Sequence, residues 1–177
     1  MGEQQNILFS REELAVRVNE LGAQLRADYA GKAPLVLGVL KGAVFFFADL
    51  LRAAELPCRI GFLTASSYLN GTESTGNVKV KMPDAEEIRG QDIILVEDIL
   101  DTGNTLHKLT RLLKEQGAAS VKTIVLLDKP DRRSVDFSAD YVGFTIPDAF
   151  VVGYGLDFDE KYRYLPDIIV LPEDGAE

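Results

Sequence analysis

Residues 97–105, Glu97-Asp98-Ile99-Leu100-Asp101-Thr102-Gly103-Asn104-Thr105, hold the densest set of groups able to do chemistry in this chain. Thr102, Gly103, Asn104 and Thr105 offer small or polar side chains and free backbone N–H groups. They stand just ahead of a stretch with Leu106, Leu109, Leu112 and Leu113 on one helical face. A helix N-terminus with unpaired donors favours an anion, and a phosphate monoester fits. Two adjacent carboxylates, Glu97 and Asp98, lie close to that cradle and, unbridged, would repel such a ligand by Coulomb interaction. Sugar hydroxyls donate to carboxylates, and Mg²⁺ takes a few oxygens together with water and substrate phosphates, so either can mediate. The segment reads as a ribose-phosphate site. The plainer alternative is an acidic loop capping a helix, with Asp101 or Thr102 satisfying backbone N–H groups.

Such groups need a rigid frame, and the surrounding pattern predicts one. Ile93 to Val96 is apolar without alternation, as a parallel strand buried on both faces is, and residues 35–40 and 121–127 repeat the pattern. Ser10 followed by Glu13 makes a capping box ahead of Leu14, Val18, Leu21 and Leu25, so an amphipathic helix opens the chain and runs up to Gly31. Residues 42–54 read as a second helix, and Gly117 ends the leucine-faced one. Residues 59–65 read as strand and 66–77, rich in Ser, Thr, Gly and Asn, as loop; 78–82 alternates strictly, so the loop tips a two-stranded excursion that could serve as a mobile lid. Further short strands are expected at 141–144, 150–153 and 168–171. Strands alternating with helices predict one α/β domain spanning residues 1–177, a central parallel β-sheet flanked by helices. Open sheets of this kind bind ligands beyond the carboxyl ends of their strands, where 97–105 falls.

Composition narrows the function classes. The formal net charge of −9 argues against a nucleic-acid partner, which wants a basic face, so an anionic small substrate must be met by local cations. No segment reaches the roughly 18 consecutive apolar residues of a membrane helix, and no basic-then-apolar leader stands at the start. A soluble, cytoplasmic protein with no membrane partner is expected. The single cysteine, Cys58, and single histidine, His107, exclude an intrachain disulfide and the His/Cys zinc constellations. No Gly-x-x-x-x-Gly-Lys-Ser/Thr pattern is present, and Gly153-Tyr154-Gly155-Leu156-Asp157-Phe158 lacks the third glycine of a dinucleotide fingerprint.

The acidic-acidic-x-x-Asp-Thr-Gly-x-Thr segment after a buried strand resembles the signature of the type I phosphoribosyltransferases. Residues 150–163, Phe-Val-Val-Gly-Tyr-Gly-Leu-Asp-Phe-Asp-Glu-Lys-Tyr-Arg, resemble the purine-binding end of that family's 6-oxopurine salvage branch, and Leu40-Lys41-Gly42 and Ser67-Tyr68 match it as well. The resemblance runs from about Phe9 to Leu171. It implies the type I phosphoribosyltransferase fold, with a flexible hairpin lid at about 66–78 and a small hood formed by about 145–177 with the N-terminal segment. It also implies Mg²⁺ as cofactor, 5-phosphoribosyl 1-diphosphate and a 6-oxopurine such as hypoxanthine or guanine as substrates, and a homodimer or homotetramer.

Residue roles follow from the same resemblance. Glu97 and Asp98 would hold the ribose hydroxyls, partly through the metal, with Asp157 as a further metal ligand beside the purine. Asp101, Thr102, Gly103, Asn104 and Thr105 would take the 5′-phosphate. Some relatives carry lysine where Asn104 stands, which leaves phosphate binding there to backbone N–H groups. Asp101 would be the general base toward the purine's imidazole portion. Lys41, Gly42, Ser67, Tyr68 and Arg163 would bind diphosphate, and relatives often have a cis peptide at the Leu40-Lys41 turn. Lys129 would donate to the purine 6-oxo group, Phe150 would stack on the base, and Val151 would present backbone groups to its edge. An ammonium has donors only, so an amino group in place of the carbonyl should be rejected. A regulatory RNA-binding protein on the same scaffold is the competing reading; it would need a basic face that the acidic balance disfavours.

Overall fold

The structure, a computed structural model, describes residues 6–66 and 79–172. Its frame is a six-stranded sheet. In chain order its strands are β2 (Leu35–Leu40), β3 (Arg59–Ser66), β4 (Lys79–Lys81), β5 (Asp92–Leu100), β6 (Ser120–Asp128) and β7 (Tyr141–Thr145), and across the sheet they stand as β4-β3-β2-β5-β6-β7. All neighbours are parallel except β4, which returns antiparallel along β3 with Thr64 opposite Lys81. A separate three-stranded sheet joins β1 (Ile7–Phe9), β9 (Ile168–Val170) and β8 (Val151–Val152), bringing the start of the described chain against its end.

Burial on both faces explains the unbroken apolar runs. On one face, α1 (Arg11–Asp28) and α2 (Val44–Ala54) cover Val36, Ile94, Val96, Ile124 and Leu126. On the other, α4 (Asn104–Glu115) and the short α3 (Ala85–Ile88) cover Leu35, Leu37, Ile93, Leu95 and Val125. Each such fully buried Leu or Ile stabilises the fold by roughly 1.5–3 kcal/mol relative to exposure. The Ser10 capping box forms as expected, with Ser10 Oγ accepting from Glu13 N–H and the Glu13 carboxylate accepting from Ser10 N–H. Gly22 lets α1 meet α2 closely, since a Cβ there would fall 2.6 Å from the Ala53 carbonyl carbon.

The elements differ from the sequence expectation in several places: α1 stops at Asp28 short of Gly31, and α2 starts at Val44 rather than at 42. The strand expected at Ile93 to Val96 continues through Glu97 and Asp98 to Leu100, because β6 stays paired with it as far as Leu100 opposite Asp128. Helix α3 and a 3-10 turn at Pro130–Arg132 carry no long apolar period and give no periodic signal. The strands expected at 150–153 and 168–171 are shorter, at Val151–Val152 and Ile168–Val170.

Candidate active site

β2 pairs with β5 only from Leu35 opposite Ile93 to Gly38 opposite Val96. Beyond Val96, β5 is paired from the β6 side alone, and along its other edge, where Glu97 and Asp98 stand, β2 has ended its pairing; this edge is the crevice of the site. The chain builds outward from β2 to β3 on one side and starts β5 on the other, so this is the sheet's topological switch point.

The turn after β2 forms the crevice's second wall. Its Leu40-Lys41 peptide is cis. Gly42 lies so close to the acids that a Cβ there would sit 1.7 Å from Asp98 Oδ2, so only glycine permits the approach. The two carboxylates are half-buried, and burial is the main reason both are pushed above the usual range, Asp98 to about 6 and Glu97 upward with the Asp98 charge added. Asp98 Oδ1 accepts a hydrogen bond from Ile99 N–H at 2.9 Å, which opposes the shift in part. Neither acid makes an ion pair with a basic side chain among the described residues; Arg163 acts on Asp98 only as a more distant charge. A desolvated, unpaired carboxylate couple suits sugar hydroxyls or a divalent ion. No three His, Cys, Asp or Glu side chains converge as a ready-made cage among the described residues, so an ion here would draw most of its oxygens from ligand and water.

Asp101, Thr102, Gly103 and Thr105 line a hollow of about 60 Å³ together with Glu97, Ile99, Leu100 and Leu106, room for a compact anion, while Asn104 is not part of its lining. Gly103, at φ 85°, caps α4, and Asn104 is the first helical residue. Thr102 Oγ1 accepts from Asn104 N–H at 3.4 Å, and the Asn104 amide donates to Ser134 Oγ at 2.9 Å. Arg133, which the sequence reading did not single out, holds this turn from behind: it donates to the carbonyls of Leu100 and Asp101 and pairs with Asp128. A larger groove of about 570 Å³ lies between α1 and α2, but its Arg26 and Arg52 are already paired with Glu55 and Asp49. Chemistry rather than size marks the site.

The ends of β5 and β6 then bring the expected base and the expected purine reader together, with Lys129 N–H donating to the Leu100 carbonyl at 2.9 Å. The Lys129 side chain is only 10% exposed, its Nζ 3.7 Å from Asp148. Asp101 receives a hydrogen bond from Arg132 Nε at 3.2 Å. Phe150, by contrast, is 50% exposed and meets Phe158 edge-on at 5.5 Å, while Val151 is buried in β8.

The expected diphosphate cations converge on an acid the sequence reading passed over. Lys41 Nζ lies 3.0 Å and Arg163 3.3 Å from Glu160 Oε1, and these contacts, the Lys41 one foremost, hold the Glu160 carboxyl below its usual range. Arg163 also pairs with Asp157 at 2.9 Å and donates to the Gly155 carbonyl, while its Nε is buried without an acceptor. Asp157 is thereby engaged by Arg163 rather than turned into an acidic cluster. Ser67 and Tyr68 lie outside the described residues. Arg132, Arg133, Asp148 and Glu160 escaped the sequence reading; the adjacent arginines, in an acidic chain and just after Lys129, were the available signal.

The phosphoribosyl transferase domain family matches residues 4–159. A hypoxanthine-guanine phosphoribosyltransferase of Streptococcus agalactiae is 49% identical over 95% of this chain and 93% of its own. Among solved structures, a hypoxanthine phosphoribosyltransferase from Staphylococcus aureus superposes with a TM-score of 0.89 at 44% identity, covering 96% of this chain and 92% of its own. A lysine-to-arginine variant of the Trypanosoma cruzi hypoxanthine phosphoribosyltransferase, in a ternary substrates complex, does so with a TM-score of 0.88 at 44% identity, covering 97% of both chains.

Proposed function

This chain belongs to the phosphoribosyl transferase family, and on that premise we propose that it transfers the 5-phosphoribosyl group from 5-phosphoribosyl 1-diphosphate to hypoxanthine or guanine. The products are the nucleoside monophosphate and diphosphate, a purine salvage reaction. The observation that carries this reading is the adjacency of three groups at the strand ends: the half-buried acid pair Glu97 and Asp98, the hollow lined by Asp101, Thr102, Gly103 and Thr105, and Lys129 against Leu100.

The 5′-phosphate occupies the hollow, held by the N–H groups at the start of α4, where Asn104 N–H turns from Thr102 Oγ1 to the phosphate, and by the helix dipole. Glu97 and Asp98 accept from the ribose hydroxyls. They and Asp157 are the side chains that would hold Mg²⁺, which, when bound, neutralises charge on the departing diphosphate. Lys41 exchanges Glu160 for the diphosphate; that pair is exposed on both sides, and exposed ion pairs are worth only about 0–1 kcal/mol, so the exchange costs little, while Arg163, also held by Asp157 and the Gly155 carbonyl, turns from Glu160 to the diphosphate. Gly42 adds a close backbone approach, and Ser67 and Tyr68 complete this set by family resemblance.

Phe150 offers its exposed ring to the purine, the Val151 backbone reads its edge, and Lys129 donates to its 6-oxo oxygen. As the bond from the anomeric carbon to the diphosphate oxygen breaks and the new bond to the purine nitrogen forms, the imidazole proton passes to Asp101. A general base of this kind contributes typically 10²- to 10⁴-fold, so positioning and charge neutralisation supply the larger share. Assembly into two or four copies belongs to the same reading, supported by Phe45 and Phe62, which are 42% and 45% exposed.

The test is diphosphate release from 5-phosphoribosyl 1-diphosphate with Mg²⁺ and each of hypoxanthine, guanine, xanthine, adenine and uracil. Turnover confined to 6-oxopurines is expected. Turnover with uracil, or silence with every base, would overturn the assignment.

A further inference from the structure

Four charged side chains form a continuous alternating chain across the purine end of the site. Asp101 Oδ1 lies 3.2 Å from Arg132 Nε, Arg132 reaches Asp148 Oδ2 at 3.6 Å through a second nitrogen, and Asp148 Oδ1 lies 3.7 Å from Lys129 Nζ. Arg132 closes the 3-10 turn that Pro130 starts, and its N–H donates to the Lys129 carbonyl at 3.2 Å, so its backbone is tied to the same strand end as the lysine. Its guanidinium presents donors in a fixed plane: Nε hydrogen-bonds Asp101, and a second nitrogen stands within ion-pair distance of Asp148.

We propose that Arg132 is a positioning residue for the general base, holding one Asp101 oxygen so that the other is aimed at the purine proton, with Asp148 as the anchor that fixes the guanidinium's orientation. This rests on the reading of Asp101 as base in a 6-oxopurine phosphoribosyltransferase. The reasoning is geometric. A carboxylate on a turn rotates freely about its terminal bond, and a proton acceptor works only when its lone pair points at the donor. A base oriented by a third group is the general solution. Arg132 supplies that group from outside the phosphate hollow, where it leaves the ribose and diphosphate contacts untouched. Asp148, shared between Arg132 and Lys129, sets base and 6-oxo reader relative to each other.

The experiment compares steady-state kinetics of the wild-type protein with Arg132→Gln, Arg132→Lys, Asp101→Asn and the Arg132→Gln/Asp101→Asn double variant, with thermal melts as a check on folding. Arg132→Gln is expected to lower kcat about tenfold, about 1.4 kcal/mol of barrier, with the KM for 5-phosphoribosyl 1-diphosphate within about twofold of wild type. Arg132→Lys should recover part of the loss, because it keeps the charge but cannot span both carboxylates. In the Asp101→Asn background Arg132→Gln should cost nothing further, since there is no base left to orient. A wild-type kcat in Arg132→Gln, or the same tenfold loss on top of Asp101→Asn, overturns the proposal. Failure of the underlying reading looks different: wild-type protein inactive with 6-oxopurines, or Asp101→Asn unimpaired, removes the base itself and the proposal with it.

Discussion

Gly42→Ala perturbs the close approach of the turn after β2 to Asp98. The added Cβ would lie 1.7 Å from Asp98 Oδ2 and 2.7 Å from its Cγ, where ordinary contacts begin at 3.4 Å. An overlap of about 1.7 Å therefore has to be relieved by movement of either the Lys41-Gly42 turn or the Asp98 carboxylate. A swing of the Asp98 carboxylate large enough to clear the clash at Oδ2 draws Oδ1 away from the 2.9 Å bond with Ile99 N–H. One such bond is worth about 1 kcal/mol net. For a chain of this length that lowers Tm by about 2–4 °C. The functional cost is larger, because a displacement of about 1 Å in a positioning group can remove on the order of 10²-fold in rate, or about 2.7 kcal/mol. Initial rates with varied 5-phosphoribosyl 1-diphosphate, beside a thermal melt, separate the two effects. The expected result is a drop of about 10²-fold in kcat/KM for that substrate with a Tm change of a few degrees. Activity within about threefold of wild type would refute the idea that Gly42 is required for the closeness of turn and acid. A Tm loss beyond about 10 °C would show that the substitution breaks the fold rather than the site.

Three further perturbations test other parts of the arrangement. Burial raises the folded-state carboxyl of Asp98 to about 6 from its ordinary 3.8, so its contribution to stability is fully present below about 4 and is lost as pH rises through 6. Asp98→Asn should therefore be more stable than wild type above about pH 6, by on the order of 1 kcal/mol after allowing for partial exposure, with the gap closing as pH falls to about 4. Melts across that range without ligand check it; a gap constant with pH would show that the carboxylate is not penalised. Lys129→Gln supplies an acceptor beside its donor and should narrow discrimination between hypoxanthine and adenine by about tenfold or more, read as the ratio of their kcat/KM values; an unchanged ratio would move 6-oxo recognition to another group. Arg133→Gln frees the carbonyls of Leu100 and Asp101 and leaves the half-buried Asp128 without its cation, so we expect a loss of about 1–3 kcal/mol in stability and a raised KM for 5-phosphoribosyl 1-diphosphate. Wild-type KM in a destabilised protein would confine Arg133 to a structural role.

Much of the architecture was legible in the chain because it rests on local rules. The unbroken apolar runs at 35–40, 93–96 and 121–127 demand strands covered on both faces, and the Ser10–Glu13 box starts a helix wherever it is placed. The segment 97–105 reads as a phosphate cradle with flanking acids because all of those residues are contiguous. What the sequence could not yield are meetings between residues distant along the chain. Glu160 sits between Lys41 and Arg163, Gly42 lies against Asp98, and Arg132 and Asp148 join Asp101 to Lys129 only because parallel strand ends and their connecting turns are packed side by side. Residue spacing constrains a neighbour within a turn or two of helix or along one strand. Beyond that range, the burial of two sheet faces under their covering helices decides which charges share a site, and that decision belongs to tertiary packing.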